Sequence, residues 1–139
     1  MTVCIVNYEA GNLGSVRRAL HALGTDAVVV DQPSQLDSAA RIILPGVGNF
    51  RDAMERLQAG GWPGAITAAV RERGRPLLGI CVGMQVLAQA GTESSEPGSP
   101  TPGLGLIAGL VQRLDAWGCT HRIPQQGWNS LTVRTAHPL

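Results

Sequence analysis

The sequence predicts an α/β fold: a mostly parallel, doubly wound sheet with helices on both faces. Over roughly the first eighty residues, short β-branched runs alternate with segments of helical periodicity. That alternation is the signature of parallel strands joined by crossover helices. Glycine-bearing turns follow three of the strand-like runs, at Glu9–Asn12, at Pro45–Gly48 and around Cys81. They fall at strand carboxyl ends, where sheets of this kind bind ligands. A length of 139 residues allows one domain, 1–139, burying roughly two-thirds of its unfolded surface.

Taken in order, Thr2–Asn7 is strand-like, and Asn12 can cap a helix whose Leu13, Val16, Leu20 and Leu23 form an apolar stripe. Gly24 ends that helix and Thr25–Val30 is a second, β-branched strand. Pro33–Ala40 allows a short helix, and Arg41–Leu44 a third strand stopping at Pro45. Asn49–Ala59 and Trp62–Arg73 are helical segments split by Gly60-Gly61. Arg75–Ile80 then reads as a buried strand opened by proline, and Val82–Ala88 as the start of another helix. Residues 91–103, rich in Gly, Ser, Pro and Glu, read as a long surface loop or a disordered linker. Gly103–Leu114 and Gly127–Val133 look like β segments able to pair antiparallel at one edge.

Cys81 lies in Gly79-Ile80-Cys81-Val82-Gly83-Met84-Gln85, between a strand and a helical pattern. Glycines two residues before and two after relieve crowding at the turn, the logic of a nucleophile elbow with sulfur in place of hydroxyl. A helix N-terminus just beyond the sulfur favours the thiolate. A buried structural cysteine is the commoner fate of a free thiol, but the flanking glycines favour a reactive one. Pro45-Gly46-Val47-Gly48-Asn49-Phe50 admits three readings: a plain tight turn, a phosphate loop without the full phosphate-binding pattern, or a backbone N–H donor for an oxyanion.

Composition excludes several classes. Eleven basic residues against ten acidic ones, with 15% of the chain charged, suggest neither nucleic acid nor an anionic membrane as a partner. No stretch approaches a membrane span, and the N-terminus reads as a strand in place of a signal peptide. Three dispersed cysteines argue for a reducing compartment, with the cytoplasm as the expected location. No metal-ligand spacing occurs, and neither metal nor cofactor is expected.

The elbow heptapeptide resembles the nucleophile motif of class I, triad-type glutamine amidotransferases, and Pro45–Phe50 is similar to their oxyanion strand. Asn7-Tyr8-Glu9-Ala10-Gly11-Asn12-Leu13, Gly103-Leu104-Gly105-Leu106-Ile107 and Gly127-Trp128-Asn129 narrow the resemblance to the branch that serves imidazole glycerol phosphate synthase in histidine biosynthesis. The resemblance implies that Cys81 attacks the side-chain amide of glutamine and that a thioester is then hydrolysed. It implies an oxyanion hole from the N–H groups of Val82 and the Gly46–Gly48 segment, with Val47 and Gly48 as the donors there. Gln85 and Glu93 match positions that hold glutamine, although a solvated helix residue and a loop carboxylate are the plain readings. The implied protein partner is a (β/α)8-barrel synthase subunit that receives ammonia. Asn12 and Trp128 match positions near that interface; taken alone they read as a helix cap and a half-buried core aromatic. Two departures stand out: Glu9 replaces a usual glycine, and Gln125-Gln126 replace the usual His-Met.

A cysteine of this type needs a base and an orienter for that base, which the family supplies as His-x-Glu on a later strand. None of the three histidines, His21, His121 and His137, is followed two residues on by Glu. His21 is expected to face solvent, and His121 and His137 are the only substitutes for a base. The chain is therefore read as the N-terminal part of such a subunit, with little activity of its own and an apolar sheet edge or face left open. A non-catalytic remnant that keeps the fold and partner surface is the rival reading. A cysteine-elbow hydrolase on the same sheet is a further one, which Gly83-Met84-Gln85 and Gly127-Trp128-Asn129 argue against.

Overall fold

The computed structural model describes residues 2–124 and 126–136. Strand β1 (Val3–Val6) leads to helix α1 (Leu13–Ala22), β2 (Ala27–Val30), a 3-10 turn (Pro33–Ser38) and β3 (Arg41–Gly46). Helices α2 (Phe50–Ala59) and α3 (Trp62–Arg71) precede β4 (Leu77–Cys81) and the single-turn α4 (Val82–Gln85). Strands β5 (Ala88–Glu96), β6 (Ser99–Pro102) and β7 (Ile107–Val111) follow, then a 3-10 turn at Leu114–Trp117.

The first four strands form one parallel sheet in the order β2-β1-β3-β4. Side-chain alternation sends Cys4, Val6, Ile42 and Leu44 to one face, where Phe50, Ala53, Met54 and Leu57 of α2 and Trp62, Ile66 and Ala69 of α3 cover them. Val3, Ile5 and Ile43 take the other face, under Leu13, Val16 and Leu20 of α1. The sheet is thus wound on both sides, as expected from the alternation of its elements.

Local chemistry sets the boundaries. The Asn12 side chain accepts from the Ser15 N–H at 3.1 Å and starts α1, while Asn49 does the same for α2 through Asp52 N–H at 3.0 Å. Leu23, expected on the stripe of α1, is instead its exposed C-cap. Strand β3 runs through Pro45 instead of stopping before it, because the ladder to β1 ends at Ile43 and no donor is required of the proline.

The largest departures come after Cys81. Helix α4 stops at Gln85 although the pattern favours helix to Ala88. Residues 103–107 take the following carbonyls into β-type bonds, with Leu104 N–H on Val86 O and Gly105 N–H on Ala88 O. The segment 91–103, expected as a loop, is mostly strand: β5 and β6 form a hairpin turning at Pro97-Gly98, and β7 joins β5 in parallel, not antiparallel. Its loop-like composition has other causes. A Cβ at Gly91 would lie 2.5 Å from the Phe50 ring, and the Ser95 hydroxyl accepts from Thr101 N–H at 3.0 Å. Residues 127–133 form no strand, having no neighbouring strand among the described residues to pair with. Trp128 is fully exposed in place of half-buried.

Candidate active site

Cys81 ends β4 beside the last residue of β3, in register with Gly46. Its backbone sits at φ 56° and ψ −121°, a region that disfavours side chains and holds only where the surroundings enforce it. The surroundings here are glycines in close contact. A Cβ on Gly83 would meet the Leu44 carbonyl oxygen at 1.9 Å, one on Gly46 the Gly83 nitrogen at 2.4 Å, and one on Gly79 the Met84 Cα at 2.5 Å. Three chain segments therefore pack backbone to backbone around the elbow, which leaves the Cys81 side chain exposed.

Val82 opens α4, so its N–H has no acceptor within the helix. Beyond Gly46, Val47 and Gly48 continue past Cys81 as exposed backbone, with Gly48 at φ 92°. The helix behind the sulfur is a single turn, so the dipole support expected from a longer helix is small.

One residue apart from the sequence-derived set lies under this turn. Tyr8 is 3% exposed, and its hydroxyl is buried without a partner among the described residues. It lies 2.8 Å from where a Gly46 Cβ would stand. Burial pushes its phenol up to about 12, with Arg56 opposing the rise and Cys81 adding to it. A tyrosine directly after a polar strand end carries no sequence signal for this position.

Gln85 and Glu93 are brought together. Both line a cavity of about 370 Å³ with Thr92, Val111, Gln112 and Arg113. The Gln85 Oε1 is buried and lacks a partner among the described residues. Glu93 accepts from the Phe50 N–H at 3.1 Å, fixing β5 against the start of α2. Reading 91–103 as a loop hid the neighbour Thr92, and β5, with five polar residues in a row from Thr92 to Glu96, carries no sustained alternation that could have revealed it.

The remaining residues lie apart from this cavity. Asn12 is the cap of α1, and Trp128 lies in the exposed segment after the last 3-10 turn. His21 is exposed at the end of α1, as expected, and His121 is exposed beyond Cys119. The alternative base His137, and Gln125, lie outside the described residues. Glu9, which replaces the usual glycine, adopts φ 62°. Of the other thiols, Cys4 is buried with its pKa raised by that burial, and Cys119 is partly exposed.

The family model for "Glutamine amidotransferase class-I" matches residues 4–137. The chain belongs to this family. It is 45% identical over 137 residues to the imidazole glycerol phosphate synthase subunit HisH of Dehalococcoides mccartyi (strain CBDB1), covering 99% of this chain and 63% of that protein. The HisH of Geobacillus sp. (strain WCH70) is 44% identical over 138 residues, covering 97% of this chain and 63% of that protein. A crystal structure of a glutamine amidotransferase superposes with a TM-score of 0.68 at 26% identity, covering 85% of this chain and 59% of that one. This amidotransferase-family chain therefore spans about 63% of the length of the curated relatives it matches.

Proposed function

We propose that the chain carries the nucleophile and part of the glutamine pocket of the glutaminase subunit of a cytoplasmic imidazole glycerol phosphate synthase. The single observation that carries this reading is the strained, exposed Cys81 held between three close-packed glycines, in a chain of the glutamine amidotransferase family. The thiolate adds to the side-chain carbonyl carbon of glutamine, and the carbonyl oxygen becomes negative. The N–H groups of Val82 and of Val47 or Gly48 stabilise that oxygen, each such donor contributing about 3 kcal/mol to the transition state. The C–N bond breaks, the nitrogen takes a proton and leaves as ammonia, and water hydrolyses the thioester to glutamate. Gln85 and Glu93 offer acceptor oxygens to the substrate's N–H groups, and the unpartnered Gln85 Oε1 supports that role.

Ammonia then passes to a (β/α)8-barrel partner that closes the imidazole ring, with Asn12 and Trp128 at or near the contact surface. Support comes from the relatives, which are named as synthase subunits, and from the full exposure of Trp128. Proton transfer in this scheme needs a base that none of the described histidines supplies beside Cys81. The 139 residues by themselves are accordingly expected to turn over little glutamine. Alkylation by a chloromethyl ketone analogue of glutamine tests the pocket. Selective modification of Cys81, slowed by L-glutamine and with Cys4 and Cys119 spared, is expected; equal labelling of all three thiols overturns the reading.

A further inference from the structure

The backbone around the elbow closes on a buried hydroxyl that the proposed chemistry does not use. A Cβ placed on Gly46 would meet the Gly83 nitrogen at 2.4 Å, the Tyr8 hydroxyl at 2.8 Å and the Val82 carbonyl carbon at 3.0 Å. The phenol oxygen therefore lies beside the space left by the missing Gly46 side chain, where the end of β3 and the Val82–Gly83 backbone approach each other. Tyr8 is 3% exposed, and its hydroxyl has no partner among the described residues. Leaving a buried hydroxyl unpaired is costly, so a free polar group next to it is a partner in waiting.

The backbone supplies such a group. Gly83 lies in the first turn of α4, where its N–H has no acceptor within the helix. Cys81, at the capping position of that turn, makes no side-chain capping bond. A phenol oxygen accepts as well as donates, and burial raises its pKa to about 12, which keeps it neutral. Donor and acceptor thus face the same point. The adjoining N–H, that of Val82, is one proposed oxyanion donor. Gly46 leads directly into Val47 and Gly48, which offer the other. Tyr8 stands where both halves of the hole meet and is too buried to touch substrate.

We infer that Tyr8 is a positioning residue, whose hydroxyl accepts from the Gly83 N–H when Cys81 engages an acyl group and so fixes the direction of the adjoining Val82 N–H. This rests on the glutaminase reading above, which names the oxyanion donors but nothing that holds them. The role belongs to the hydroxyl, because a phenylalanine ring would fill the same space.

The test compares two reactions of Cys81 in the full 139-residue chain and in Tyr8→Phe. With a γ-thioester of glutamate, the Cys81 sulfur bonds the acyl carbon and the carbonyl oxygen becomes negative. The donor's carbon–sulfur bond then breaks and its thiolate leaves, so the rate depends on the oxyanion hole. With iodoacetamide, sulfur displaces iodide directly and no oxyanion forms. In Tyr8→Phe the maximal acylation rate should fall about 3- to 10-fold. Its half-saturating concentration and the iodoacetamide rate should stay unchanged. The Gly83 amide should also exchange faster in the variant when the thioester is bound. An unchanged maximal acylation rate overturns the inference. An equal fall with both reagents overturns it too, because that marks a loosened fold, and so does a rise in half-saturation alone, which marks a substrate contact. If the unaltered chain is not acylated at Cys81 at all, the glutaminase reading itself fails and this inference falls with it.

Discussion

Cys81 is held at φ 56° because the glycines around it let three stretches of backbone touch. Gly83→Ala would push a methyl group onto the Leu44 carbonyl oxygen, 1.9 Å away. It should cost about 2–3 kcal/mol in urea unfolding, and it should slow Cys81 alkylation by releasing the elbow. Glu9 makes the opposite case. Its positive φ costs about 1–2 kcal/mol, and its ion pair with Arg56 is long, 4.0 Å, and exposed. Replacing it with glycine relieves the strain at the expense of unfolded-chain entropy, so Glu9→Gly should stabilise by about 0.5–1 kcal/mol. A melting temperature that falls would contradict this. Tyr8 gives a pH signature. Its phenol titrates near 10 when unfolded and at about 12 when folded. Its stabilising contribution is therefore complete below about 10 and disappears as pH climbs towards about 12. Tyr8→Phe should lose less stability than the unaltered chain over that window, measured by denaturant unfolding at both ends. At this scale the sequence was readable where chemistry is local, as in the elbow and its glycines. Tyr8 was not readable, because what matters about it is which distant backbone it lies beside.

Elements whose neighbours are close in sequence were legible from pattern: β1, α1, β2, β3 and the α2–α3 pair each have an apolar periodicity that matches the face they bury. The segment after Cys81 was not, because tertiary pairing overrides local preference there. The Val82–Ala88 pattern is helical, yet carbonyls from Val86 onwards are taken by residues 103–107. Residues 91–103 carry loop-like residues, yet their glycine and serines serve packing and cross-strand bonds. Ser95 is the clearest instance. Its hydroxyl accepts from Thr101 N–H, contacts the Thr101 hydroxyl at 2.6 Å and donates to the Gly91 carbonyl at 3.0 Å. Ser95→Ala should therefore destabilise the β5–β6 hairpin by about 1–2 kcal/mol. Hydrogen exchange should report it as faster exchange of the Thr101 amide, with β1 and β3 unchanged. A uniform acceleration across both sheets would mean that the hairpin does not open independently.

Across the whole molecule, α1 covers β1 and β2 but leaves β4 open on the same face. Leu78 and Ile80 are exposed there, at 42% and 37%. Among the described residues, strand β4 is also an edge of its sheet, bonded only to β3. An unprotected apolar edge invites pairing with another chain. The 139-residue chain is expected to self-associate with increasing concentration, and Ile80→Lys to weaken that association, by sedimentation velocity. A monomer at all concentrations would show that this face tolerates water.

Cys81 is proposed as a nucleophile towards the acyl carbon of glutamine, and acyl transfer tests that role most directly. A γ-thioester of glutamate presents the same acyl group with a leaving thiolate that needs no proton. After incubation of the chain with this donor, intact-mass measurement and peptide mapping should find one γ-glutamyl group, on Cys81, formed by exchange of one thioester for another. The adduct should be absent from Cys81→Ala. Acylation spread over Cys4, Cys81 and Cys119 alike, or none at Cys81, would contradict the account.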